Sequence, residues 1–286
     1  MKYALLPTAL ALALTTSSAA AQMMLPDLSA ASKGAPKAPA PKAAKPKPAA
    51  SKPPGDEAIV DRDLYRNGSE GLIRFQRAPG AGLEITAISL TGEQITHPGE
   101  PCRLDVVAGA PIEAKAMGRP KGLLRYDVGI EACPFSLDVL DGAVLVTREA
   151  KPCDFVAADC RVDPAGLWGP AAAAIDDKQV KQFEHARGVA ETTMRANFRA
   201  LLASAGKNMP AFATIVGEQA AFSSEREVTC RSYANEHAAG FCALRLTQAR
   251  AFALGAQFEA NARARGEPAK AKGVKAERKK EAKPSP

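Results

Sequence analysis

The sequence predicts an α+β protein: an N-terminal, disulfide-stapled antiparallel β domain, then a C-terminal three-helix bundle, with disordered basic tails. Three observations carry this expectation. Residues 70–168 alternate apolar and polar side chains in short runs, the period of half-buried strands. Residues 173–263 switch to apolar spacings of three and four, the period of a helix face. The charge is also distributed in a way that isolates these two stretches. Residues 1–54 carry seven Lys and one Asp, and residues 261–286 carry nine Lys/Arg against three Asp/Glu. Residues 55–170 carry 12 Lys/Arg against 18 Asp/Glu, and residues 171–260 carry 10 against 9. The net +7 of the 286-residue chain therefore belongs to its ends, and the middle is slightly acidic. Nucleic-acid binding needs a basic folded face, so this class is excluded.

The first element is an address label. Lys2 precedes an apolar run from Ala4 to Leu14, and Ala19-Ala20-Ala21 supplies a small-residue cleavage site. Residues 1–21 read as a signal peptide. The run is too short to span a bilayer, and no later stretch is long enough, so no integral membrane segment is expected after cleavage. The expected location is the periplasm or the medium of a bacterial cell. Residues 22–69 read as an Ala/Pro/Lys-rich disordered linker. Proline fixes φ and removes a donor, and like-charged lysines repel. Lys33, Lys37, Lys42, Lys45, Lys47 and Lys52 could also contact anionic cell-wall polymers.

The β domain, residues 70–168, follows. Leu83–Ala87, Cys102–Val106, Leu124–Ile130 and Phe135–Val139 each alternate. Asp141-Gly142 separates Phe135–Val139 from Ala143-Val144-Leu145-Val146, a spacing that predicts a hairpin with a type I′ turn. Polar-out, apolar-in strands predict an antiparallel sheet with one wet face. Pro98-Gly99, Gly109-Ala110-Pro111 and Gly118–Gly122 supply turns. Cys102, Cys133, Cys153 and Cys160 lie here, and Cys230 and Cys242 follow in the helical region. An even count in an exported chain predicts three disulfides. Zinc is not expected, because Cys153 and Cys160 are too far apart for a knuckle and no His pair follows. The first four cysteines allow three pairings, of which Cys102–Cys133 with Cys153–Cys160 is favoured.

In the helical region, Asp176 or Asp177 caps a first helix with a stripe of Ala186, Ala190, Met194, Phe198 and Leu201. It stops near Ser204-Ala205-Gly206. Asn208 and Pro210 start a second helix, with a stripe of Phe212, Ile215, Gln219, Phe222, Arg226 and Cys230. A third runs from Ala238 to Ala262, with Phe241, Leu244, Ala251, Leu254 and Phe258 facing in. Residues 264–286 return to a basic, disordered composition.

The second and third helices carry a string of spaced residues: Gln219-x-x-Phe222, Arg226-Glu227-x-x-Cys230, Gly240-x-Cys242 and Thr247-x-x-Arg250 with Leu254. This string resembles the LprI-type lysozyme-inhibitor domain over roughly residues 175–258. Phe222 stands where tryptophan is commoner, and a cysteine usual before the first helix is missing. The resemblance implies an exported binding protein of the envelope whose partner is a lysozyme or another wall-active protein. The residues make sense on their own terms too. Cys230 ends one helix and Cys242 begins the next, so a bridge there would staple an antiparallel hairpin. Gln219 and Arg226 fall on the apolar stripe, and buried polar groups need partners. Thr247 and Arg250 on the facing helix are candidates, with Glu227 beside them.

No catalytic constellation is read. His97, His185 and His237 are scattered over different elements. Acid pairs such as Asp61/Asp63 and Asp138/Asp141 lie in strand and turn contexts, where solvation accounts for them. Nucleophile elbows, zinc-protease motifs and phosphate- or dinucleotide-binding glycine loops are missing. No cofactor and no metal are expected. The reading is binding rather than catalysis: an envelope protein similar to lysozyme inhibitors, or a non-inhibitory structural protein tethered to peptidoglycan by its basic tails.

Overall fold

The structure, a computed structural model, describes residues 52–266 apart from 81, 108 and 148–151. The expected signal peptide, most of the lysine-rich arm and nearly all of the C-terminal tail lie outside the described residues. Eleven strands run in chain order: β1 Asp63–Arg66, β2 Glu70–Arg77, β3 Leu83–Gln94, β4 Pro101–Asp105, β5 Ile112–Ala116, β6 Arg125–Val128, β7 Phe135–Leu140, β8 Ala143–Thr147, β9 Cys153–Phe155, β10 Cys160–Val162 and β11 Gly166–Gly169. Four helices follow: α1 Asp177–Ala205, α2 Met209–Arg231, α3 Glu236–Ala239 and α4 Phe241–Ala264.

The expectation of a simple β domain with a wet face, followed by a self-contained three-helix bundle, is corrected here. Eight strands close into an antiparallel barrel in the circuit β1-β2-β3-β5-β6-β7-β8-β11. Closure is made by β1 against β11, with Tyr65 opposite Gly169 and Arg66 opposite Trp168. β1 lies inside the segment expected to be linker. Its Leu64 and the preceding Ile59 are fully buried, so the fold takes up the last part of that segment. β4, β9 and β10 extend from the barrel, β4 and β10 both pairing with β3.

Period two sorts the side chains of the barrel wall. Phe135, Leu137 and Val139 of β7, Val144 and Val146 of β8 and Trp168 of β11 point inward, joining Phe75, Leu83, Ile85 and Tyr126 in one core. Their neighbours in sequence, Leu140, Ala143 and Leu167, point outward and are just as buried. They pack with Tyr233, Phe241, Cys242 and Leu246 of the helical region. The continuous apolar run Ala143–Val146 thus marks a strand covered on both faces. A third, distal core of Leu201, Ile215 and Leu254 holds the far ends of α1, α2 and α4 together.

The expected third helix is divided. Gly240 adopts φ +63°, closing α3 and opening α4, and the region has four helices. The carboxylate of Glu236 replaces a conventional cap for α4, accepting from the amides of Cys242 and Ala243 at 2.8 Å each. The starts of α1 and α2 follow expectation. Asp176 caps α1 with a reciprocal Gln179 pair, and Asn208 caps α2 ahead of Pro210. At the Asp141-Gly142 hairpin only Gly142 has positive φ, so the turn is not type I′.

Three disulfides form, and the favoured pairing of the first four cysteines is corrected. The bonds are Cys102–Cys160, Cys133–Cys153 and Cys230–Cys242. The reason is the curl of β3. Its two neighbours β4 and β10 would stand roughly 9–10 Å apart in a flat sheet. Here Cys102 and Cys160 have Cα atoms 5.8 Å apart, because the end of β3 rolls until its flanks meet. Gly92 permits that roll: a Cβ there would lie 1.9 Å from the carbonyl oxygen of Arg161. Among the described residues no helix is long and apolar enough to cross a membrane.

Candidate functional site

The helical region gathers the polar residues singled out in the sequence. Cys230–Cys242 ties the end of α2 to the start of α4, Cα to Cα 5.4 Å. Along the same hairpin, Arg226 donates to the Thr247 hydroxyl at 3.0 Å, and Thr247 donates to the carbonyl of Ala243 at 2.6 Å. Two turns toward the start of α2, Arg250 donates through Nε to Gln219 Oε1 at 3.1 Å. Phe222 sits between the two arginines, with guanidinium carbons 5.6 and 5.8 Å from its ring centre. Burial disfavours the charge on Arg250, and Glu218 at 3.7 Å opposes that effect. Glu227 is not part of this network. It is exposed and pairs with Arg231 one turn away at 3.3 Å.

Beside this network lies an open cleft of about 720 Å³ where α1, α2 and α3 converge. Arg187 and Glu191 of α1 form one wall, and Arg226, Glu227 and Arg231 of α2 the other. Tyr233, Cys230 and Ala243 give it an apolar floor, and Glu236 and His237 of α3 close one end. The charged groups are unequally engaged. Glu191 pairs with Arg195, Glu227 with Arg231, and Glu236 is held by two amides. Arg187, by contrast, donates no hydrogen bond and closes no ion pair among the described residues. Its guanidinium lies over Gly240, where a Cβ would sit 2.8 Å from Nη1. Burial raises the Glu236 carboxyl above its ordinary value, while the two amides and the charge of Arg187 oppose that rise.

Sequence reasoning did not single out Arg187, Glu236 or Tyr233. The one available signal was Gly240, whose lack of a side chain leaves room for the arginine. A fourth missed residue, Arg245, bridges the two parts of the fold. It is almost fully buried, lies 4.9 Å from the Phe241 ring centre and reaches Asp141 of the β7–β8 turn at 3.1 Å. The histidines fall on the β3–β4 loop, α1 and α3. Of the acid pairs, Asp63 meets Arg74 and Asp138 is clasped by Arg125 through two hydrogen bonds. No group of three metal-ligating side chains occurs among the described residues.

No protein-family model, curated protein or solved structure matches the chain.

Proposed function

We propose that the protein is an exported, non-catalytic binding protein of the cell envelope whose helical region engages a lysozyme or a similar cationic wall-active protein. One observation carries this reading. The residues of the LprI-like string, Gln219, Phe222, Arg226, Thr247 and Arg250, converge on a single network that fixes α2 to α4. Away from that network α2 is left uncovered: Met209 and Val216 are exposed on one side, and Val228 is exposed further along the helix. Residues 55–260 hold 22 Lys/Arg against 27 Asp/Glu, and this excess of negative charge suits a cationic partner and speeds association with it. Three disulfides support an oxidising destination.

Titration of a cationic lysozyme into the protein tests the reading, paired with an assay of cell-wall lysis. The expected result is association at about 1 μM or tighter, weakening with salt, together with slowed lysis. Replacing Met209 and Val216 by Asp should abolish association without lowering thermal stability, because both are exposed. Full lytic activity at a large excess of protein overturns the proposal. The uneven charge supports a second reading, anchorage to anionic wall polymers through residues 22–54 and 264–286. Salt-sensitive sedimentation with isolated walls, lost when those segments are deleted, would support it.

A further inference from the structure

The cleft between α1, α2 and α3 has a use distinct from the outer side of α2. Its lining pairs three arginines with three carboxylates, so a simple anion or a simple cation would meet repulsion as well as attraction. The groups free to act have a definite arrangement. Arg187 is uncommitted, and Arg226 spends only Nη1 on Thr247. Both arginines carry further N–H donors, in the fork that suits a carboxylate. The facing carboxylates, Glu191 and Glu227, are tied only by solvent-accessible pairs one helical turn apart, and a competing ammonium can displace such partners. The cleft's apolar surface comes from Cys230, Tyr233 and Ala243. A cleft of about 720 Å³ falls within the range of small-ligand sites and leaves most of its space empty around a lone phosphate.

We infer that this cleft binds a short zwitterionic peptide, its free carboxylate on Arg187 and Arg226 and its ammonium on Glu191 and Glu227. Gly240 is part of the site because it seats Arg187, and the Glu236 carboxylate keeps the end of α4 from competing for the ligand. The site does not depend on the proposed protein partner. A peptide can occupy it with lysozyme absent, and loss of lysozyme binding leaves the inference standing.

The probe is trialanine, titrated into the full-length disulfide-bonded protein by calorimetry and by NMR at low ionic strength. The expected result is saturable binding with shifts at Arg187, Tyr233 and His237. Amidation of the peptide's carboxylate should weaken binding about 10- to 100-fold, the effect of losing one charge-assisted hydrogen bond. N-acetylation should weaken it as well, and inorganic phosphate should bind more weakly than the peptide. Arg187→Gln should weaken trialanine binding about tenfold with little change in melting temperature, since Arg187 closes no hydrogen bond or ion pair among the described residues. Absence of saturable binding overturns the inference. So does equal binding of the amidated peptide or of phosphate, or unchanged affinity in Arg187→Gln.

Discussion

None of the eight barrel strands contains a cysteine. The circuit of β1, β2, β3, β5, β6, β7, β8 and β11 is closed by backbone ladders alone, while the bridges fasten the attached parts: β4 to β10, the β6–β7 loop to β9, and α2 to α4. Removing Cys102–Cys160 should therefore loosen the extension and leave the barrel shut. The bond spans 58 residues, and loop-closure entropy assigns it about 4 kcal/mol at 25 °C. The same arithmetic gives about 3 kcal/mol each for Cys133–Cys153 and Cys230–Cys242, with separations of 20 and 12. Trp168, the single tryptophan, is a reporter at the point of closure: it lies in β11, points into the barrel and donates to the carbonyl of Pro164 at 2.8 Å. The assay is urea unfolding of the Cys102→Ser/Cys160→Ser variant, followed by tryptophan fluorescence and by amide exchange. The expected outcome is a midpoint lowered by an amount equivalent to about 4 kcal/mol, with a buried-type emission spectrum in the absence of urea. Exchange should quicken in β4, β9 and β10 and stay slow in β1 and β11. A red-shifted emission without urea would refute the reasoning, because it would mean that the sulfur bridge and not the β1–β11 pairing holds the barrel closed.

Three further outcomes follow from the packing. Leu140→Ala opens a cavity between the barrel wall and α4 and should cost about 2–5 kcal/mol, read by chemical unfolding, whereas an exposed change such as Val156→Ala should be near neutral. Gly92→Ala places a methyl group against the Arg161 carbonyl, so β10 must move away from β3; slower oxidative formation of Cys102–Cys160, measured by thiol trapping, is the expected result. Burial raises the folded-state carboxyl of Glu236, so it contributes stability present at acid pH and lost as pH rises through that raised value. The stability of the natural protein relative to Glu236→Gln should therefore fall as pH rises above the ordinary carboxylate range; a difference that grows with pH would contradict the sign.

The parts of this fold governed by local chemistry were legible in the sequence. The alternation in Leu83–Ala87 and Phe135–Val139 marks strands, Asp176 and Asn208 mark helix starts, and the 12-residue spacing of Cys230 and Cys242 fits a hairpin staple. The parts governed by distant pairing were not. β1 is four residues long and meets a partner about a hundred residues away, and nothing in Asp63–Arg66 advertises Trp168 as its neighbour. The pairing of Cys102 with Cys160 depends on the roll of β3, which follows from the closed sheet and from Gly92. In the candidate site, Gln219 and Arg226 stood out because they break an apolar stripe, and Thr247 and Arg250 because they lie on the facing helix where such buried groups need partners. Arg187 did not, because on a helix rich in charge an arginine facing a cleft looks like one facing water.

The construction of α2 explains why the network is polar. The helix runs for 23 residues, yet only Ile215 and Cys230 are buried. A helix held by so little apolar surface could slide or rotate, since hydrophobic contact is non-directional. Two arginine hydrogen bonds at different heights, Arg250 to Gln219 and Arg226 to Thr247, prevent both motions, and the disulfide fixes the end nearest the barrel. Phe222 between the arginines turns their aliphatic and cationic surface into packing. Apolar replacements at these four positions would preserve burial and lose register. Register is what a partner bound to the outer side of α2 would feel, because rotating the helix by one residue, about 100°, would carry Met209 and Val216 off that side. Substituting Arg226 and Arg250 together by Met should therefore reduce partner affinity more than it reduces stability, and the opposite order would assign the network to folding alone.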